Sequence, residues 1–305
     1  MLYQQVVFLL LAVLLGNLIL NLKYLPRAKG GRALPNPPPL ISILIPARNE
    51  ETNIRACLES LQKQDYPNCE FLVLDDSSTD RTGEIVAELA AEDSRIRLYK
   101  GLPLPPDWAG KPFACHQLAR EARGSWLLFT DADTVHAPNM LSHVLSTALQ
   151  SGAALVSGFP YQKTTSVWQR MALPVLFYFL LLAWMPFWFL QRSRWNVPSV
   201  AIGQFLFFSA QEYHSIGGHE AVKSRVLEDV WLGFEMAKHR YRQLTLDLSK
   251  HVSCQMYREF GSMWDGIARW LYMVASVSAV LFLGIMAVAS LLLLAPFLFL
   301  LYGLF

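Results

Sequence analysis

Residues 126–134 read WLLFTDADT, a β-rich apolar run that ends in two aspartates, Asp131 and Asp133, separated by one alanine. Two carboxylates at the end of a strand offer hard oxygen ligands to Mg²⁺ or Mn²⁺, ions that commonly bind substrate phosphates as well. Alternatively, the pair could simply solvate a loop. The segments on either side of this stretch decide between the two interpretations.

Between residues 40 and 160, short β-rich runs alternate with segments of helical period. This alternation is typical of βαβ units and predicts an α/β fold with a mostly parallel sheet. A less regular half follows, with strand-like runs AIGQFLFFS (201–209) and YRQLTLDL (241–248) on either side of a helix, LEDVWLGFEMAKH (227–239). In the first half the predicted strands are LISILIP, EFLVLDD, RIRLYK, SWLLFTD and AALVSGF, and the predicted helices are EETNIRACLESLQ, RTGEIVAELAAE and KPFACHQLAREA.

Polar clusters follow three of these predicted strands. IPARNEE ends the first strand, LDDSSTD the second and TDAD the fourth. Because the carboxyl ends of parallel strands share one edge of the sheet, where open α/β sheets bind ligands, we expect the three clusters to converge there. A single acidic cluster could be a helix cap, and capping is the expected role of Asp80. The convergence of three clusters favours a metal and phosphate site.

The composition indicates a protein that lies partly in lipid. The chain has 305 residues, 53% of them hydrophobic, with a mean hydropathy of +0.28. Its net charge of +2 comes without a basic stripe, which argues against nucleic acid as a partner. The four cysteines form no CxxC pair, so we interpret them as small core residues of a protein in a reducing compartment; they are Cys57, Cys69, Cys115 and Cys254.

Three hydrophobic regions predict membrane contact. The first is about 20 residues long and uncharged, which is enough for one transmembrane helix, and the basic residues follow it instead of preceding it as in a signal peptide. By the positive-inside rule, the chain after residue 23 faces the cytoplasm. The middle region could span by length, but a crossing would separate the two polar halves, so we expect an interfacial or re-entrant segment. The expected organisation is a transmembrane helix at 2–22, a basic and Pro-rich linker at 23–39, a catalytic domain at 40–260 that includes the apolar segment 168–190, and C-terminal transmembrane segments at 271–305.

Five motifs, IPARNEE, LDDSSTDRT, GKPFACHQLA, TDAD and LEDVWLG, together resemble glycosyltransferase family 2. The resemblance covers about residues 40 to 260, and the order and spacing of the motifs make it more specific than any one of them. It implies the GT-A fold, a nucleotide-diphospho-sugar transferase fold with a Rossmann-like sheet. It also implies a UDP-sugar donor and a divalent cation, Mg²⁺ or Mn²⁺.

The same resemblance implies roles for individual residues. Asp131 and Asp133 are the DxD pair that binds the metal and the sugar diphosphate. Asp229, with Glu228 beside it, matches the carboxylate that serves as the base. The residues matching the nucleoside site are Pro46, Glu50, Asp75 and Asp76, with Asp76 expected at the nucleobase.

Chemical logic agrees with this assignment. Displacing a nucleoside diphosphate from a sugar requires a Lewis acid at the leaving phosphates and a base at the acceptor hydroxyl on the opposite face. A base at Asp229, without a nucleophile, predicts single displacement with inversion at the anomeric carbon. The acidic pair could also be an ordinary first helical turn stabilised by the macrodipole.

Other residues near the motifs have more than one open interpretation. Lys111 reaches the donor phosphates or is a solvated loop charge. His136 and His219 complete the metal shell, face the acceptor, or are structural hydrogen bonders. Gly217 and Gly218 permit a tight turn with positive φ or a close approach to substrate.

The acceptor is inferred from a narrower resemblance. The segments GFPYQ, IGQFLFF, GGHEAV, VLEDVWLG and MYREFGSMWDGIAR resemble the bacterial carotenoid glycosyltransferases of the family, which implies UDP-glucose as donor and an apolar isoprenoid as acceptor. Processive polysaccharide synthases carry (Q/R)xxRW, but GIARW keeps only Arg269 and Trp270 and has Gly266 in the leading position. A sphingolipid, diacylglycerol or polyprenyl phosphate acceptor stays open.

A few residues nearer the C-terminus have a weaker assignment. Arg258 and Trp264 suit either the diphosphate or the membrane interface, and His219, Arg258, Arg269 and Trp270 form the predicted acceptor or diphosphate side. A nucleotidyltransferase would instead show a Gly-rich loop after the first strand, where this chain has PARNEE. An inactive scaffold would have lost one of three aspartates that are all present, namely Asp76, Asp133 and Asp229.

Overall fold

A computed structural model describes residues 2–31, 34–174, 185–190, 201–225, 227–256, 260–277 and 279–302. The chain divides into two compact units. One comprises residues 25–163 and 190–256 and is the α/β unit; the other comprises residues 1–24, 164–189 and 257–305 and is the helical unit.

The strands and helices are numbered in chain order. The strands are β1 Ile41–Ala47, β2 Cys69–Asp75, β3 Ile96–Lys100, β4 Trp126–Thr130, β5 Thr134–His136, β6 Leu155–Phe159, β7 Tyr161–Gln162, β8 Phe205–Ser209, β9 Gln243–Asp247 and β10 Val252–Cys254. The helices are α1 Leu2–Tyr24, α2 Ile54–Gln62, α3 Thr82–Glu92, α4 Gly110–Glu121, α5 Met140–Ser151, α6 Val167–Pro174, α7 Phe187–Leu190, α8 Ala210–Ser215, α9 Glu228–Lys238, α10 Phe260–Val277 and α11 Ala279–Tyr302.

Seven strands form the central sheet of the α/β unit, in the order β3-β2-β1-β4-β8-β6-β9. The pairs β3–β2, β2–β1, β1–β4 and β6–β9 are parallel, which confirms the predicted α/β fold with a mainly parallel sheet. β8 is the exception, because it lies antiparallel between β4 and β6. An apolar run buried on both faces does not encode its direction, so the sequence pattern could not reveal this reversal.

Helices cover both faces of this sheet. Successive β1 residues alternate between them, since Ile43 and Ile45 pack in a core that includes α2 and α5, while Leu44 packs in a second core that includes α4 and α9. α2 buries the predicted face of Ile54, Leu58 and Leu61. All four cysteines are buried and unpaired, as predicted for small core residues. The two cores leave the ends of the parallel strands as the place where polar side chains can collect.

A second, three-stranded sheet of order β5-β10-β7 was not predicted from the sequence. Its strands have only two or three residues, too few for a recognisable alternation. β5 pairs antiparallel with β10 and begins one residue after Asp133. The segment that carries Asp131 and Asp133 therefore connects the central sheet to the small one.

The helical unit contains α1, α6, α7, α10 and α11. Within it, the Asn21 side chain donates to the Met185 carbonyl at 2.6 Å, and the Trp188 indole donates to Asn17 Oδ1 at 2.9 Å. Among the described residues, one helix, Gln4–Tyr24, has the length and composition to cross a membrane. Residues 175–184 of the predicted interfacial segment lie outside the described residues. The interfacial segment and the C-terminal transmembrane segments therefore stay predictions.

Candidate active site

The first two polar motifs meet where β1 and β2 end side by side. The paired residues Pro46↔Leu74 and Ala47↔Asp75 place the motifs in register, and the Asp76 amide donates to the Ala47 carbonyl at 2.8 Å. Glu50 follows, with its amide bound to Thr82 Oγ1 at 2.7 Å. The predicted convergence of these two clusters is therefore present in the structure.

The two adjacent aspartates of the second motif point to different surroundings. Asp75 Oδ1 accepts the Ser78 amide at 2.9 Å, and Oδ2 lies so near Gly83 that a Cβ there would approach to 2.7 Å. Asp76 instead faces Gly101, where a Cβ would lie 3.2 Å from its Oδ1. Asp75 thus holds the turn before α3, while Asp76 faces the loop that leads to α4.

The Asp80 side chain stabilises the start of α3. Its Oδ1 accepts the Thr82 amide at 3.0 Å and its Oδ2 accepts the Glu51 amide at 3.1 Å. The N-cap of α3 is Arg81, which has no side-chain cap bond, so Asp80 is not the N-cap but holds the turn that leads into the helix and ties it to the segment after β1.

Three residues within the motifs have a left-handed backbone conformation. Asn49 in IPARNEE, Ser77 in LDDSSTD and Leu227 in LEDVWLG have φ of 57°, 61° and 59°. Such conformations cost about 1–3 kcal/mol for a non-glycine residue and persist where surrounding structure enforces them. Leucine tolerates this conformation least, which marks the turn before Glu228 as the most constrained of the three.

A chain of charges joins the third motif to the fifth. The Lys111 Nζ lies 2.6 Å from Asp131 Oδ1 and 3.6 Å from Glu228 Oε1. Lys111 is the second residue of α4 and Glu228 the first of α9, so two helix starts converge on the end of β4. Although desolvation lowers the pKa of Lys111, the two carboxylates outweigh it and raise that pKa well above its usual value. Lys111 is therefore an ion-paired residue of α4 and not a solvated loop charge.

Asp133 carries a buried carboxylate oxygen that would suit a divalent cation. Its Oδ1 is buried without a hydrogen-bond partner. Burial first, and then the charges of Asp131 and Glu50, raise the pKa of Asp133 to about 7. A buried carboxylate oxygen without a donor is costly, and a divalent cation would satisfy it. Among the described residues, no group of three acidic, His or Cys side chains is arranged to hold a metal.

Asp229 is fixed by two backbone amides. Gly203 N–H donates to its Oδ2 at 2.6 Å and Val230 N–H to its Oδ1 at 2.8 Å. Burial, and then the neighbouring Glu228, raise the pKa of Asp229 to about 7 against the effect of these bonds. A carboxylate with this pKa is half ionised near neutral pH, the condition that suits a general base.

The sequence analysis missed Gly203. A Cβ at this position would lie 3.1 Å from Asp229 Oδ2 and 3.2 Å from Lys111 Nζ, so glycine lets the backbone approach both charged groups. A lone glycine within the strand-like run AIGQFLFFS was the available signal, since such glycines often mark a close backbone approach.

His219 is a buried, oriented imidazole at the same place. Its Nδ1 lies 2.7 Å from Tyr213 Oη, and its ring packs 4.7 Å from that of Phe129. Burial lowers the pKa of His219 to about 3, so it is neutral. Gly217 and Gly218 both have positive φ, and a Cβ on Gly218 would lie 2.6 Å from the Tyr213 ring. The glycine pair thus serves the turn that brings His219 inward.

His136 is the last residue of β5, and its Nε2 lies 3.4 Å from Thr130 Oγ1. It is buried, and its Nε2 lies 2.9 Å from Thr134 Oγ1. Burial lowers its pKa to about 3.

One small pocket collects residues from every motif except the second. It is lined by Pro46, Lys111, Cys115, Phe129, Thr130, Asp131, Gly203, Leu206, His219 and Glu228. Several predicted residues fall elsewhere: Arg258 lies outside the described residues, and Arg269 and Trp270 lie on α10 of the helical unit, where their side chains are not described. Trp264 is exposed on the same helix.

Comparison with known sequences gives one family and a consistent set of relatives. The profile of the family described as glycosyl transferase family 2 matches residues 42–211. The 4,4'-diaponeurosporenoate glycosyltransferase of Staphylococcus haemolyticus is 28% identical over 276 residues, which cover 87% of this chain and 70% of that protein. The Staphylococcus aureus USA300 protein of the same name is 26% identical over 76% of this chain, which spans only 60% of that relative.

Comparison with solved structures shows the fold. The mannosyltransferase PcManGT of Pyrobaculum calidifontis, in complex with GDP-Man and Mn²⁺, aligns with a TM-score of 0.61 at 20% identity, covering 90% of this chain and 75% of that one. Residues 1–349 of S. aureus TarS, in complex with UDP-GlcNAc, align with a TM-score of 0.52 at 18% identity, covering 77% of this chain and 66% of that one. These neighbours have the GT-A architecture that the motifs implied.

Proposed function

The chain belongs to glycosyltransferase family 2, whose profile matches more than half of its residues, and on that premise we propose that it moves a hexose from a UDP-sugar to a lipid acceptor with inversion. The acceptor we propose is a carotenoid or a related isoprenoid that offers a hydroxyl or a carboxylate. The observation that carries the proposal is the chain of charges from Asp131 through Lys111 to Glu228, beside an Asp229 held by two amides. Asp131 and Glu228, the two ends of this chain of charges, line the same pocket, which supports a donor side next to an acceptor side.

On the donor side, Asp131 and Asp133 are the residues that would hold a divalent cation, Mg²⁺ or Mn²⁺. Such a cation would supply Lewis-acid stabilisation of the leaving diphosphate. Lys111 adds a fixed ammonium next to Asp131, which attracts the phosphates electrostatically. Asp76, Pro46 and Glu50 are the residues proposed for the nucleoside, whereas Asp75 holds the turn before α3.

On the acceptor side, Asp229 is the proposed base. Its two amide contacts fix the carboxylate plane, and its raised pKa makes it basic enough to take the proton of an acceptor hydroxyl. The hydroxyl oxygen attacks the anomeric carbon as the bond to the diphosphate breaks, and the electron pair leaves with the nucleoside diphosphate. Glu228 balances the charge of Lys111 and raises the basicity of Asp229. No nucleophilic residue is needed, so an α-linked donor yields a β-linked product.

The lipid acceptor rests on two independent supports. Both relatives named above are 4,4'-diaponeurosporenoate glycosyltransferases, although this chain spans only 60% of the S. aureus protein. In addition, the N-terminal helix Gln4–Tyr24 is apolar and long enough to cross a membrane. Because basic residues follow this helix, the positive-inside rule supports a cytoplasmic position for the chain after it. We therefore propose an enzyme of the cell membrane whose α/β unit faces the cytoplasm.

The test is a labelling experiment on membranes that contain the full chain. They are incubated with radiolabelled UDP-glucose, Mn²⁺ or Mg²⁺, and hydroxylated and carboxylated carotenoids, and label in the organic extract is counted. Parallel reactions offer sphingolipid, diacylglycerol and polyprenyl phosphate. We expect label in the carotenoid fraction only, in a β-linkage.

Matched variants separate chemistry from folding. Asp229→Asn is expected to abolish labelling, while Asp65→Asn, a carboxylate bound to Ser142 outside the site, is expected to keep it. Label in a different lipid class would replace the acceptor, and an α-linked product would refute the inverting mechanism.

A further inference from the structure

Two aromatic residues of α9, Trp231 and Phe234, have no role in the proposed transfer step and form an aromatic row with Glu228 at its start. Glu228, Trp231 and Phe234 follow one another at intervals of three residues, so they are neighbours along one side of the helix. Glu228 also lines the pocket with Lys111 and Asp131. The row therefore leads from the pocket outward along α9.

Core packing does not account for the far end of this row. Trp231 is half-buried and packs against the core that includes α4, whereas Phe234 is 47% exposed. The Phe234 ring lies 5.6 Å from that of Trp231, so the exposed ring continues the half-buried one as an apolar strip. A partly exposed aromatic strip beside a pocket is typical of a surface that binds an apolar ligand.

A cation lies over the same strip. The guanidinium of Arg225 lies 4.5 Å from the centre of the Trp231 ring. Among the described residues, Arg225 forms no ion pair with a carboxylate, and its side chain is exposed. A guanidinium stacked on an aromatic ring keeps its N–H edge available for an oxygen acceptor. The strip thus combines an apolar surface with a donor of hydrogen bonds that lies over the Trp231 ring.

The strip is narrow. Glu235 and Lys238, which pair at 3.2 Å, follow Phe234 on the exposed part of the helix. A stable protein interface buries about 800 Å² on each partner, more than two rings beside an ion pair can offer. A single elongated chain fits this shape better than a protein surface does.

We propose that Arg225, Trp231 and Phe234 form the binding surface for the acceptor, with its isoprenoid chain along the two rings and its oxygen-bearing end facing Arg225. This inference rests on the proposed function, since it names the surface by which a lipid acceptor reaches Asp229. Arg225, Trp231 and Phe234 are thereby specificity-determining residues for an apolar acceptor.

The experiment uses the full chain in detergent and two variants, Phe234→Ser and Arg225→Lys. The first removes exposed aromatic surface, and the second keeps the charge but loses the stacked plane. Tyr161→Ser, which removes an exposed aromatic residue of β7 in the same unit, is the matched control. The readouts are the KM for the lipid acceptor, the KM for the donor, and the concentration of geranylgeraniol that half-maximally changes UDP-sugar hydrolysis.

We expect Phe234→Ser to raise the acceptor KM and the half-maximal geranylgeraniol concentration on the order of tenfold, because about half a phenylalanine surface is no longer covered. Arg225→Lys should raise both severalfold, and the control should change neither. The donor KM should stay within twofold throughout, which separates an acceptor surface from a general loss of structure.

Three outcomes would overturn the inference: an unchanged acceptor KM in both variants, an equal rise in donor KM, or a wild-type enzyme whose hydrolysis does not respond to geranylgeraniol. A change of oligomeric state in Phe234→Ser, without a change in acceptor KM, would assign the row to a protein contact instead. If wild-type enzyme responds to geranylgeraniol through this row but labels no lipid, the proposed transfer fails and the binding surface stands.

Discussion

Replacing Gly203 with alanine tests whether close backbone approach positions the charged groups of the site. The new Cβ would lie 3.1 Å from Asp229 Oδ2 and 3.2 Å from Lys111 Nζ, so both groups must move by a few tenths of an ångström. The bond from Gly203 N–H to Asp229 Oδ2, now 2.6 Å, lengthens as the carboxylate rotates. Since a base displaced by about 1 Å can lose 10²-fold in rate, we expect this smaller shift to lower kcat by about 10-fold to 30-fold, or about 1.4–2 kcal/mol of barrier.

The assay for Gly203→Ala is the initial rate of nucleoside diphosphate release at saturating donor and acceptor, with thermal unfolding measured in parallel. Overpacking of this kind costs about 1–3 kcal/mol of stability, so the protein should stay folded at 25 °C. Gly261→Ala is the control, because nothing lies within 4 Å of its Cβ position on α10. A folded Gly203→Ala enzyme with kcat within twofold of wild type would refute the positioning argument.

Three further predictions address the ionisation, the cation and the histidine of the site. The pKa of Asp229 is raised to about 7, and a base acts only when it is deprotonated. We therefore expect kcat/KM, measured from about pH 5 to about pH 8.5, to fall about tenfold per pH unit below 7 and to level off above it. A flat profile would exclude Asp229 as the base. EDTA should abolish sugar transfer, and excess Mn²⁺ should restore it. In a metal titration, Asp133→Asn should require a higher Mn²⁺ concentration for the half-maximal rate than wild type. Full activity in EDTA would contradict a divalent cation at this site. Tyr213→Phe leaves His219 Nδ1 and the His219 amide without their hydroxyl partner, so it should lower the free energy of unfolding by about 1–3 kcal/mol. Tyr161→Phe is the control at an exposed position. Equal unfolding midpoints of Tyr213→Phe and wild type in denaturant would contradict a stabilising role of the buried Tyr213–His219 pair.

Local sequence patterns predicted most of the parallel half of the fold. β1, β2, β3, β4 and β6 fall on the predicted apolar runs, because strands buried on both faces are continuous in sequence. β8 and β9 also fall on predicted strand-like runs, but the sequence predicted neither the antiparallel direction of β8 nor the small sheet. The direction of β8 depends on which strands it lies between, and β5, β7 and β10 are too short to carry a pattern.

The candidate site, like the fold, could be predicted from the sequence only in part. The carboxyl-end rule and the family resemblance named Asp131, Asp133, Glu228 and Asp229 in advance. They did not decide between a solvated lysine and an ion-paired one at Lys111, because that depends on a 2.6 Å contact between residues 20 positions apart.

The sequence by itself determined which residues could do the chemistry, namely an acidic pair after a buried strand and a second acidic pair at a helix start, and it contained one N-terminal helix long and apolar enough to cross a membrane. Side-chain type and local order are written directly in the chain, so they could be inferred from it. Only the tertiary structure decided that Gly203 supplies an amide to Asp229, that Asp75 supports a turn while Asp76 faces the loop, and that Phe234 stays exposed beside Trp231. These properties arise from distances between segments far apart in sequence, which packing of the two cores around the sheet sets and no local pattern encodes.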